Sequence, residues 1–303
     1  MEHSRALGHA LAFGTVAVWG TTFISTKVLL TGFQPVEILF IRFILGLLAL
    51  FLACPRRIRG TTWRQELLFA GAGLTGVCLY YLLENIALTC TLASNVGVVI
   101  SVIPFFTAVL AHLVLKEKRP GGRFLLGFAV AMAGIFLISF NGARMELNPL
   151  GDLLTLLAAL MWACYVILTR KLGAEGWPTI LVTRRIFFYG LLWMIPALFL
   201  FDCRLGLERF ANPVYLGNLL FLGFGASAVC FVTWNLAVKL LGPVKTSVYT
   251  YLAPVITVAA SVLILHEPIT PLAALGAVLT LAGLLLSQGK SLLKKESAEE
   301  PAE

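Results

Sequence analysis

Long apolar stretches limit this chain's folding more than any other feature of its sequence. A helix needs roughly 20 mostly apolar residues to cross about 30 Å of hydrocarbon at about 1.5 Å per residue. Ten stretches meet that need: 8–30, 35–54, 66–88, 92–115, 122–140, 150–171, 178–201, 214–238, 245–265 and 269–288. Short connections join them, punctuated by breakers such as Pro35, Gly60, Pro120, Pro149, Pro178, Pro213, Pro243 and Pro268. Ordinary chains are about a quarter charged. This one, of 303 residues, is 13% charged and 59% hydrophobic. The expected fold is an all-α membrane protein of ten transmembrane helices in a lipid bilayer, with loops too short to hold a soluble domain.

The net charge of +8 does not point to nucleic acid, because the basic residues lie in inter-span clusters without interleaved aromatics. They follow the positive-inside rule instead. With a cytoplasmic N-terminus, sixteen Lys and Arg fall in inner segments, against Arg144, Arg204 and Arg209 in outer ones. Both termini are therefore expected in the cytoplasm of a bacterial inner membrane. Arg5 precedes an apolar run without a small-residue cleavage site, so the first span reads as uncleaved. The tail 291–303 is charged and reads as disordered. The six cysteines form no CxxC pair or Cys/His cluster, and His112 and His266 stand alone, so no metal or cofactor is expected. There is no Walker A loop, GxSxG, HExxH or paired intramembrane acid motif. Enzymatic chemistry is not expected, and any transport would draw on a solute or ion gradient.

The chain also repeats itself. LASNVGVVISVIPFFTAVLAHLVLKE (92–117) and GPVKTSVYTYLAPVITVAASVLILHE (242–267) both open on small and hydroxyl residues, carry a central proline and close on glutamate. Pro104 matches Pro254 and Glu117 matches Glu267 at one offset, 150 positions (254−104). The two prolines are expected to kink their spans. At an offset of 143 (162−19), Trp19 matches Trp162, Lys27 matches Arg170, Pro35 matches Pro178 and Arg42 matches Arg185. Later the offset is 150 again for Gly73 with Gly223 and Asn85 with Asn235, then 149 (276−127) for Gly127 with Gly276 and Gly134 with Gly283. Two homologous five-span halves, 1–140 and 148–290, follow. Five is odd, so the second half enters from the opposite side, an arrangement typical of secondary transporters.

On the WGTTFISTK run (Trp19 to Lys27), the Arg42 and Phe43 pair and the two Pro-to-Glu runs, the chain resembles the EamA-like family of the drug/metabolite transporter superfamily over about 8–288. The resemblance implies two inverted five-helix domains around a central cavity. It also implies traffic in amino acids, nucleobases, drugs or other small metabolites. Ala163 in place of Gly20 and Arg170 in place of Lys27 depart from strict equivalence.

A small-molecule site needs aromatics to grip and amides or hydroxyls to orient. The polar and aromatic residues least expected in lipid are Tyr80, Tyr81, Glu84, Asn85, Asn95 and Ser101 in one half and Ser227, Thr233, Trp234, Asn235, Thr246, Ser247, Tyr249 and Tyr251 in the other. The alternative for each is packing between helices. Glu84 reads either as a proton-coupling acid or cation-binding group, or as an interfacial side chain reaching headgroup water, the second weighted slightly above the first. Lys27, Arg42 and Arg185 read as helix ties or anchors ahead of carboxylate-attracting groups. Glu117 and Glu267 read as end-of-span groups for ion pairing or gating. The leading expectation is a secondary exporter of amino acids or drug-like solutes. Alternatives are a carrier of phosphorylated or nucleotide-linked solutes and a non-transporting scaffold; substrate and oligomeric state stay open.

Overall fold

The computed structural model describes residues 2–90, 93–139, 149–201, 207–256, 259 and 270–288. Every element among them is helical. In chain order these are α1 (Glu2–Leu29), α2 (Pro35–Ala53) and α3, which runs without interruption through Trp63–Gly73, Leu74–Leu79 and Tyr80–Cys90. Next come α4 (Ala93–Ile100 and Ile103–Leu115), α5 (Gly122–Ser139), α6 (Pro149–Ala174) and α7 (Thr179–Leu200). The last are α8 (Pro213–Leu220, Phe221–Val229 and Cys230–Leu241), α9 (Pro243–Ser247 and Val248–Tyr251, helical to 256) and α10 (Pro271–Gln288). Six helices are long and apolar enough to cross a membrane: Pro35–Ala53, Trp63–Ala87, Val98–Leu115, Pro149–Ala174, Thr179–Leu200 and Pro213–Leu241. Gly122–Ile138 and Pro271–Ser287 are apolar but shorter. Large side chains such as Leu52, Phe199 and Leu200 stand almost fully exposed, as a lipid-facing surface requires.

Local chemistry sets the helix starts. Pro35 opens α2, and the Glu37 carboxylate accepts from the Gln34 N–H at 2.9 Å. Thr62 and Gln65 form a reciprocal capping box ahead of α3. Asn212 accepts from the Val214 N–H, with Pro213 in the first turn of α8.

Two helices widen into π turns, α3 at Leu74–Leu79 and α8 at Phe221–Val229. A wide turn releases backbone carbonyls from the regular ladder, a device common at functional sites. Glycines allow close crossings beside both. A Cβ on Gly73 would lie 2.6 Å from the Gly190 nitrogen of α7, and one on Gly223 would lie 2.6 Å from Leu45 Cβ of α2. The expected kinks at Pro104 and Pro254 take a different form. In α4 the helix turns at Ser101 and Val102 and restarts at Ile103, with Pro104 in the new first turn, where a missing N–H costs nothing. In α9 the chain tightens over Val248–Tyr251 just before Pro254. Pro196, unremarked in the sequence, lies inside α7.

The most extensive helix pairing joins α5 to α10. A Cβ on Gly134 would meet the Gly276 carbonyl at 2.5 Å, and one on Gly276 would meet the Gly134 carbonyl at 2.6 Å. Helices in lipid associate by van der Waals fit, so small residues are what bring these backbones together. Gly134→Ala is expected to destabilise the protein by about 1–3 kcal/mol through overpacking. Gly14→Ala, where nothing lies within 4 Å, should be neutral; unfolding of the purified protein in mixed detergent micelles distinguishes the two.

Candidate functional site

The centre of the bundle is an aromatic box. Trp19 of α1 meets Trp162 of α6 at 5.4 Å and Trp234 of α8 at 5.2 Å between ring centroids, and Phe231 of α8 edges onto both Trp19 and Trp162. Trp162 and Trp234 are buried. The Trp19 indole donates to the Ala226 carbonyl at 2.9 Å, inside the π turn of α8. Among the described residues the indole nitrogens of Trp162 and Trp234 and the Tyr251 hydroxyl are buried without a hydrogen-bond partner. Buried donors are rarely left unpaired, and an unmet one costs free energy.

A charged group borders the box. Tyr80 stands against Trp162 at 4.8 Å and Tyr81 at 4.8 Å. Its hydroxyl donates to Glu84 Oε1 at 3.2 Å, one helical turn along α3. Arg42 of α2 is buried, donates from Nε to Ser227 Oγ at 2.9 Å, and lies 5.1 Å from the Tyr81 ring centroid. Arg42 and Glu84 form no ion pair with each other. Ser227, like Ala226, belongs to the π turn of α8. One irregular segment therefore anchors both the aromatic box and the buried cation.

Two ion pairs sit away from this centre. Glu37, at the start of α2, is 1% exposed and bonds Arg209 at 2.8 Å; Arg209 also donates to the Gly32 carbonyl and lies 4.4 Å from the Phe33 ring centroid. Glu66, in the first turn of α3, holds Arg185 at 2.5 Å and accepts from the Tyr189 hydroxyl at 2.6 Å. Arg184 beside it donates to the Cys54 and Arg56 carbonyls.

Of the residues singled out in the sequence, Tyr80, Tyr81, Glu84, Arg42 and Trp234 converge on this centre. Glu84 is buried, with the Tyr80 hydroxyl at its carboxylate. Asn235 is engaged at both ends, accepting from Tyr165 at 2.7 Å and donating to Thr183 at 3.0 Å, so it ties α6, α7 and α8 together. Tyr249 bonds His9 of α1 at 2.7 Å. Ser101 is buried at the α4 turn and Asn85 half-buried on α3. Arg185 of α7 pairs with Glu66 of α3. At the end of α4, His112 donates to the carbonyl of Glu117, not to its carboxylate. The Lys27 and Asn95 side chains and all of Glu267 lie outside the described residues.

In the sequence Trp19 and Trp162 stand only as matched repeat positions, and Glu37 and Glu66 are not among the candidate residues. A signal was present for the carboxylates, since each falls in the first turn of a span beside a breaker or cap.

Helices sized for a bilayer around a buried aromatic and charged centre are those of a polytopic membrane protein. The model of the EamA-like transporter family matches residues 6–140 and 149–288, and the chain belongs to that family. An uncharacterized transporter of Archaeoglobus fulgidus is 28% identical, covering 93% of this chain and 97% of its own. A probable amino-acid metabolite efflux pump of Escherichia coli is 29% identical over 91% and 93% of the two chains. A probable terminal-alkyne amino-acid exporter of Streptantibioticus cattleyicolor is 27% identical over 95% of each. A solved crystal structure with 20% sequence identity superposes at a TM-score of 0.77 over 96% of this chain and 99% of that one, a likeness of fold.

Asn235→Leu is expected to cost about 1–3 kcal/mol by stranding the Tyr165 hydroxyl. Combining it with Tyr165→Phe should recover much of that loss, as a double-mutant cycle of thermal unfolding would show.

Proposed function

We propose that this protein exports small organic metabolites, amino acids among them, from a bacterial cytoplasm by alternating access of one central site. The observation that carries the reading is the buried centre itself: aromatic walls, unpaired indole donors, and a cation and carboxylate with no ion pair between them. In lipid such groups are costly unless they serve a solute path. The names of the Escherichia coli and Streptantibioticus relatives favour amino acids and export.

Ten spans in two inverted halves, 1–140 and 148–290, supply the mechanical side of the proposal. Several contacts fit a two-fold relation between the halves. Trp19 touches its counterpart Trp162. The Gly134 and Gly276 contact exchanges with that of Gly283 and Gly127 under the repeat equivalence. The π turn at Leu74–Leu79, shifted by the repeat offset, falls within Phe221–Val229. With both termini cytoplasmic, the Glu37 and Arg209 pair closes the outer end of the bundle and the Glu66 and Arg185 pair the inner end. Each then acts as a latch that one half of the cycle must release.

Counterflow in proteoliposomes tests the function, using labelled amino acids, aromatic cations and sugar phosphates. Accelerated exchange of one class is expected; no exchange of any class by folded protein would overturn the transporter mechanism. The latches are tested on a variant retaining Cys230 alone among the cysteines, a residue buried in α8. Glu66→Gln should raise labelling by an impermeant thiol reagent applied from the cytoplasmic side, and Glu37→Gln labelling from the outer side. Equal effects from both sides would remove the latch assignment.

A further inference from the structure

We infer that Arg42 and Glu84 are the two ends of a clamp for a zwitterionic α-amino acid with an apolar side chain, an inference that rests on the central site being the transport site. Charge comes first. Arg42 and Glu84 are both buried and form no ion pair with any described residue. A buried charge without a counter-ion is costly. A ligand bearing a separated positive and negative group relieves both ends at once.

The alternatives fail on the same count. An organic cation that satisfied Glu84 would be repelled by Arg42, and a phosphorylated solute that satisfied Arg42 would bring further negative charge against Glu84. The pair is neutral in sum and polar in arrangement, which matches a zwitterion.

Donor geometry comes second. Arg42 commits its Nε to Ser227 and also engages Tyr81, over whose ring it stands; with five N–H donors, the guanidinium keeps others on its terminal fork for a carboxylate. Glu84 accepts from Tyr80 at one oxygen, and the carboxylate retains acceptor capacity for an ammonium group. Tyr80 connects the clamp to the box, since it bonds Glu84 and packs on Trp162. A side chain branching from a clamped α-carbon therefore has an aromatic surface beside it. The unpaired indole N–H groups of Trp162 and Trp234 only donate, so they favour ligands that bring a carboxylate or other acceptor with the apolar group.

The test uses the purified full-length protein in detergent, titrated with L-phenylalanine, L-leucine and L-methionine and with the amide and N-acetyl derivative of each. Binding is followed by tryptophan emission. The free amino acid should bind at least about tenfold more tightly than either derivative, since each derivative leaves one buried charge unanswered. Arg42→Gln should abolish the preference over the amide while leaving that over the N-acetyl form. Glu84→Gln should do the reverse. A role confined to helix packing would not move the two preferences separately.

The proposal is overturned if none of the three amino acids binds, or if a derivative binds wild-type protein as well as its parent. Where a variant fails to fold, the derivative series on the wild type decides alone. Amino-acid binding without counterflow upholds the clamp and removes the transport mechanism; counterflow of another solute class without amino-acid binding does the opposite.

Discussion

The hydrogen bond from the Trp19 indole to the Ala226 carbonyl holds the centre of this protein together. In hydrocarbon a backbone carbonyl outside the helical ladder must find a donor within the protein. The wide turn of α8 creates such carbonyls, and α1 supplies the tryptophan. The same turn presents Ser227 to Arg42, so the box and the buried cation are positioned by one departure from regular geometry. An ordinary α-helix across 221–229 would close the ladder and move both anchors.

The helices were legible because their cause is local. About 20 apolar residues between breakers have one common outcome in a bilayer, and α2, α5 and α10 begin and end within a few residues of the expected bounds. The π turns at Leu74–Leu79 and Phe221–Val229 were not legible, because a helix that gains one residue per turn keeps the same apolar composition. The sites of Pro104 and Pro254 were readable while their effect was not. A proline marks irregularity, and whether it kinks a helix or begins one depends on the preceding residues, here Ser101 and Val102.

The site was legible in its residue types and only partly in its assembly. Tyr80, Tyr81 and Glu84 share the turns of α3 that follow its π segment, so their proximity is inherent in the sequence. The approach of Arg42 and of three tryptophans from α1, α6 and α8 depends on helix packing. Asn235 shows the limit most clearly. An intramembrane amide suggests a ligand, but both its ends are taken by Tyr165 and Thr183, neither close in sequence. The matched arginines also part company, since Arg42 lies buried beside Ser227 and Arg185 reaches Glu66 in the first turn of α3.

The glycine crossing of α5 and α10 bears on how such a protein diversifies. Where two backbones touch, no side chain can interleave, so the crossing leaves no room for a larger residue at any of these glycines. None of Gly127, Gly134, Gly276 and Gly283 belongs to the aromatic box or to the Arg42 and Glu84 group. Substitutions that change the lining of the centre therefore leave this crossing intact, and the two parts of the molecule can vary separately.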